Sequence, residues 1–145
     1  MSGFLRLTLD RDDDWMGELW VEASARGFSG ISSDFFALRE LRDFARSLAA
    51  FPLPADGVRL ANVPSDREAG SDPCQVSLWA RQTNRRGSVS IRVALATPFW
   101  SHEDPGQQSH VALEVATDYL SLERFSHSLE RLVDGFRNEA VLEHS

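Results

Sequence analysis

Hydrophobic and polar positions alternate over residues 4–9, FLRLTL, where Leu5, Leu7 and Leu9 share one face. A period of two predicts a strand. The polar run RDDDW makes a turn, after which ELWVEAS sets Leu19, Val21 and Ala23 opposite Trp20 and Glu22 and completes a hairpin. GFSG at 27–30 breaks the alternation with two glycines and is expected to reverse the chain. The period then changes. Leu38, Leu41, Phe44, Ala45 and Leu48 recur at three- and four-residue intervals, the stripe of an amphipathic helix. Ser33 is its expected N-cap, with Asp34 at the positive end of the helix dipole. Arg39 and Asp43 stand four apart on the wet side, and Pro52 and Pro54 end the helix.

Four further strands are predicted: GVRLANV at 57–63, QVSLWAR at 75–81, GSVSIRVALAT at 87–97 and HVALEVA at 110–116. The third is the clearest, with Val89, Ile91, Val93 and Leu95 alternating against Ser88, Ser90, Arg92 and Ala94. A final helix covers about 119–137, capped by Thr117 or Asp118, with Leu122, Phe125, Leu129, Leu132, Val133 and Phe136 on its stripe. The order ββαββββα with short links implies an α+β fold: a two-layer sandwich, one antiparallel sheet of roughly six strands with two helices on one face. The polar stretches 64–73 and 101–109 read as loops, so residues 1–145 form a single domain.

Composition narrows the classes of function. The chain has 145 residues, 42% hydrophobic and 26% charged, which suits one folded domain. All 15 basic residues are arginine, against 22 acidic ones, for a net charge of −7. That balance argues against a nucleic-acid partner, whose affinity rests largely on cation–phosphate contacts. No apolar run approaches the ~20 residues of a bilayer span, and the N-terminus lacks the basic leader and apolar core of a secretory signal. Cys74 stands alone, so no internal disulfide forms and a cytoplasmic location is expected.

If each strand reverses direction, the loops 27–33, 64–73 and 98–109 gather at one end of the sheet. The turn at 10–14 lies at the other, beside Arg85 and Arg86. The first end then carries Asp66, Glu68, Asp72, Phe99, Trp100, His102, Glu103 and Asp104, an acidic rim with aromatics. These residues are the expected partner-binding site, since tryptophan is enriched at binding hot spots. The alternative is that the loops are merely solvated and Trp100 packs beneath the sheet. The face not covered by helices should hold Arg6, Trp20, Glu22, Trp79, Ser90, Arg92, Ala94, His110, Ala112, Glu114 and Ala116. It is the surface a homodimer would use, or else an ordinary wet sheet face with scattered aromatics.

Signals for chemistry are weak. Asp12, Asp13 and Asp14 match no EF-hand spacing and read as a polar hairpin turn. His102, Glu103, Asp104 and His110 lack the spacing of a zinc site or an oriented acid–base pair, and His127 falls on the wet side of the second helix. Cys74 has no cue for a lowered pKa and reads as a small hydrophobe. No nucleophile elbow, P-loop, HExxH or dinucleotide fingerprint is present. Arg81, Arg85, Arg86 and Arg92 make a small basic group better suited to a sheet-edge or protein contact than to RNA. No catalytic residues, metal or cofactor are therefore expected.

The hairpin ending in GFSG, the helix LRELRDFARSLAAF, then GVRLANV, GSVSIRVALATPFW and HVALEVATDYLSLERFSHSLERL together resemble the WapI-type bacterial immunity proteins. The likeness runs over most of residues 4–136 and rests on element order and short patterns. It departs from the family's pattern at PSDREAGSDP, where a tighter turn is expected. What the resemblance implies is a non-enzymatic protein that binds a cognate toxin domain, often a nuclease, and blocks it. An acidic chain suits the positive groove of a nuclease, because charge complementarity speeds encounter and selects partners. Two other classes stand beside this one: a small acidic secretion chaperone, although those usually open with a helix, and a ligand-binding or enzymatic domain with an unrecognised pocket.

Overall fold

The computed structural model describes residues 3–62, 75–97 and 109–144. The elements are β1 (Gly3–Arg11), β2 (Met16–Ala25), β3 (Phe28–Ala37), α1 (Leu38–Ser47), β4 (Val58–Ala61), β5 (Val76–Gln82), β6 (Ser88–Ala96), β7 (His110–Asp118), α2 (Tyr119–Val133) and β8 (Ala140–His144). The class is α+β, as the patterning predicts, and both helices bury the expected stripes except for Phe136. The single six-stranded sheet is replaced by two four-stranded antiparallel sheets. Sheet A has the order β3-β2-β1-β8 and sheet B the order β4-β5-β6-β7.

Two strands absent from the sequence reading account for the difference. Residues 28–37 form β3 rather than a reversal followed by a helix cap. The reversal is confined to Arg26 and Gly27, at φ +53° and +88°. Positive φ at both central residues marks the hairpin turn that matches strand twist. Ser33 lies within β3, opposite Trp20, and its hydroxyl donates to Glu18 Oε2 at 2.8 Å. The position before α1 is Ala37, which has no capping side chain. Instead Leu38 N donates to Trp15 O at 2.8 Å, so the β1–β2 turn takes up a helix-end donor. The second omission is β8, which returns the C-terminal segment to pair with β1.

The end of α2 also differs. Asp118 caps its start, accepting from Ser121 N at 2.7 Å, as expected. The helix stops at Val133 because Gly135 takes φ +86°, with Gly135 N bonded to Leu132 O and Phe136 N to Arg131 O. This is a Schellman stop, in which glycine tolerates the left-handed turn. Phe136 therefore leaves the stripe and stands exposed.

The inner faces of both sheets and both helix stripes meet in one apolar cluster, with Leu5, Leu19, Ile91, Leu122 and Leu129 fully buried. The sheets cross where β3 passes over sheet B. Along β3, Gly30 lies against Val111 at the start of β7, and the Ser32 hydroxyl donates to Ala96 O at the end of β6. Ser33 O then accepts from Gln75 Nε2 ahead of β5, and Phe35 O from Asn62 Nδ2 after β4. A strand that meets all four neighbours in order must run across them, an orthogonal packing. Among the described residues no helix is long and apolar enough to cross a membrane.

Candidate functional site

Edge strands expose unpaired backbone, and β3 answers this on one side by lending carbonyls to side chains from sheet B. Its inward positions Gly30 and Ser32 are small because sheet B's end lies against them. Ile31 and Phe35 consequently point out, while Phe36 is buried in the core. Nine large hydrophobic side chains are exposed among the described residues, and six of them, Trp15, Met16, Trp20, Phe28, Ile31 and Phe35, lie between residues 15 and 35. The β2–β3 hairpin is thus where exposed apolar area concentrates, beyond the scatter expected of an ordinary surface.

Register shows how these side chains meet. Trp20 pairs with Ser33, Glu22 with Ile31, and Glu18 with Phe35. Opposed residues share a face, so Ile31 and Phe35 flank Trp20 on the diagonals, at roughly 7–8 Å between backbones. Trp20 is 40% exposed and Ile31 62%. At ~3.3 Å per residue this ridge runs about 20 Å, from Met16, with Trp15 beside it, to the Glu22–Ile31 pair, whereas Phe28 pairs with Ala25 on the opposite face of the hairpin.

Carboxylates border the ridge. Residues 10–35 hold seven acidic side chains against Arg11 and Arg26. Glu22 accepts from Arg6 at 2.7 Å, and Glu18 accepts from Ser33. The Asp12–Asp14 run is a hairpin turn, as expected: Asp13 Oδ1 accepts from Trp15 N at 2.7 Å and Met16 N at 2.8 Å. Those two backbone donors, Trp15 first, hold the Asp13 carboxyl below its ordinary value. The turn leaves the Trp15 side chain 77% exposed. This turn and the 84–87 turn belong to different sheets, and no ion pair joins them among the described residues.

The residues expected to bind a partner, Asp66, Glu68, Asp72, Phe99, Trp100, His102, Glu103 and Asp104, lie outside the described residues, as does Cys74. The residues flanking those two segments do stand together beside β3. Asn62 and Gln75 bond its carbonyls, while Thr97 and Ser109 share a shallow cleft of about 230 Å³ with Ser29, Gly30 and Ile31.

The expected open face is divided between the two sheets. Arg6, Trp20 and Glu22 lie on sheet A, and the remainder on sheet B. Ser90 is buried, and Trp79 is no free anchor. Its ring is stacked between the guanidinium groups of Arg59 and Arg81, at 4.2 and 4.3 Å, and its Nε1 donates to Asp56 O. Beside it Glu114 accepts from Arg81, Ser90 and Arg92. Partial burial pushes the Glu114 carboxyl up, but those donors and the Arg81 charge outweigh it and hold it below its ordinary value. His110 and His127 are exposed, and no group of three metal-ligating side chains occurs among the described residues.

Sequence reasoning placed Trp20 on an open face but missed Ile31, Phe35 and Met16 as its neighbours. The signal was the alternation of Gly30, Ser32 and Phe36 against Ile31 and Phe35, with the small Gly30 and polar Ser32 facing inward ahead of a buried Phe36. No protein-family model matches the chain, and no curated protein is significantly similar to it.

Proposed function

We propose that the chain is a non-enzymatic immunity protein that binds and neutralises a cognate toxin domain in the cytoplasm, with the outer face of the β2–β3 hairpin as its docking surface. The observation that carries this reading is the concentration of exposed aromatic and aliphatic side chains on one acidic hairpin. Aromatic anchors supply binding energy when desolvated, and a rim of like charge steers an oppositely charged partner. A basic domain such as a nuclease fits that combination. The resemblance to WapI-type immunity proteins and the net charge of −7 support the same class. Asp66, Glu68, Asp72, Phe99, Trp100, His102, Glu103 and Asp104 belong to segments that leave and re-enter the described residues beside β3, and the proposal keeps them as a second contact region.

The test is co-expression with the products of neighbouring genes, capture of the partner, and binding kinetics at two salt concentrations. Trp20→Ala should raise koff, by a factor corresponding to ~2 kcal/mol if Trp20 is a desolvated anchor. Asp12→Arg with Asp14→Arg should mainly lower kon, and the loss should shrink as salt rises. Asp13 is spared because it holds the turn. Unchanged rates in both variants would remove the hairpin from the interface.

A further inference from the structure

Sheet B ends in β7, and no backbone hydrogen bond reaches this strand from the side away from β6 among the described residues. A cleft of about 840 Å³ runs along that side. Five consecutive residues, Ala112 to Ala116, line it. Because neighbouring residues of a strand point to opposite faces, a run of five lines one cleft only when the strand presents its edge. Sheet A contributes Gly3 and Ala25 at the ends of β1 and β2, and Arg26 and Phe28 at the β2–β3 turn, to the same cleft. An open edge of this length is a template for another strand, and natural edges are commonly blunted by lysine, proline or a covering element. β7 contains no lysine or proline, and its outward residues beside Glu114 are the exposed alanines Ala112 and Ala116, small enough to let a second backbone approach.

Charge selects the occupant. The described strands and turn of sheet B, residues 58–62, 75–97 and 109–118, carry five arginines and two carboxylates, the reverse of the acidic hairpin. Arg81 commits one guanidinium nitrogen to Glu114 and stacks on Trp79, while its buried Nη1 has no hydrogen-bond partner. Arg26, across the cleft, makes no ion pair among the described residues.

We infer that the β7 edge binds an extended, acidic segment of another protein by strand addition, its backbone pairing with residues 112–116 and its carboxylates facing Arg26 and Arg81. Main-chain bonds would supply affinity and the two arginines the preference for acidic side chains. This site is separate from the hairpin ridge and stands whether or not the chain neutralises a toxin.

The probe is an end-blocked synthetic peptide alternating glutamate and valine, with its lysine–valine counterpart as control. Amide chemical shifts of the full chain are followed during each titration. The inference expects saturable changes centred on residues 112–116 with the glutamate peptide and at least about fivefold weaker binding of the lysine peptide. Ala116→Glu, an exposed position, should weaken the glutamate peptide by a similar factor with an unchanged thermal melt. Arg26→Asn should do likewise, since asparagine accepts the positive φ of this turn. Trp20→Ala should leave peptide binding intact, which separates this site from the hairpin. Absence of binding, equal binding of both peptides, or shifts centred elsewhere would overturn the inference. So would a concentration-dependent dimer whose formation protects residues 112–116, because a second copy would then hold the edge.

Discussion

Replacing Gly30 with alanine perturbs the point where β3 crosses sheet B, and with it the seating of the strand that carries Ile31 and Phe35. Gly30 has no positive φ, so alanine meets no backbone strain there. The added methyl would stand 2.7 Å from Val111 Cγ1 and 3.4 Å from Leu95 Cδ1. Carbon atoms prefer separations of about 3.5–4.0 Å, so something must move by more than about half an ångström. Val111 is β-branched and stiff at χ1, which limits local relief. Overpacking of this kind costs about 1–3 kcal/mol, and loss of glycine's freedom in the unfolded chain offsets ~0.4–1 kcal/mol of that. The expected net loss is about 1–2 kcal/mol. Val111→Ala removes the clashing atom, and in that background Gly30→Ala should be neutral or slightly stabilising. A double-mutant cycle by urea unfolding therefore expects a coupling of roughly 1–3 kcal/mol with unchanged m-values. A harmless Gly30→Ala, or an equal cost in both backgrounds, would refute the crossing.

Leu129 is fully buried within the α2 stripe, so Leu129→Ala should lower stability by about 2–5 kcal/mol, whereas exposed Arg124→Ala should change it by ~0.5 kcal/mol or less; comparable losses in denaturant titrations would contradict the packing. The lowered Glu114 carboxyl means that the folded state holds this proton less tightly than the unfolded chain does. Its stabilisation is fully present above the ordinary glutamate value of ~4.3 and is lost as pH falls through the lowered folded value. Because the group is more than a third exposed, Glu114→Gln should cost only up to about 1 kcal/mol at neutral pH, with the gap to wild type closing as pH falls through that lowered value. A gap that is constant with pH would point to a loss unrelated to the charge.

Elements whose inner faces are apolar were legible from the chain alone. β6 alternates Val89, Ile91, Val93 and Leu95 into the core, and α2 shows its stripe and its Asp118 cap. β3 was not legible as a strand, because its inward positions Gly30 and Ser32 meet the end of another sheet rather than the core, so small and polar residues occupy them. Reading GFSG as the reversal followed from that inversion. β8 pairs with β1, distant in sequence, and no local signal identifies so remote a partner. Of the hairpin surface, Trp20 was legible as a residue of an open face, whereas the acidic rim expected at 64–73 and 98–109 lies outside the described residues. The neighbours of Trp20 were hidden because Ile31 and Phe35 become exposed only through the register of a strand that local patterning does not reveal.

Hydroxyl-radical footprinting of the complex with the captured toxin domain tests the central claim most directly, because it reads aromatic and methionine side chains themselves. Trp15, Met16, Trp20 and Phe35 are exposed in the free protein, as are Phe51 and Phe136 away from the hairpin. The account expects strong protection of the first four on binding, with Phe51 and Phe136 oxidised as fast as before. Protection of Phe51 or Phe136 with the hairpin side chains still reactive would contradict it.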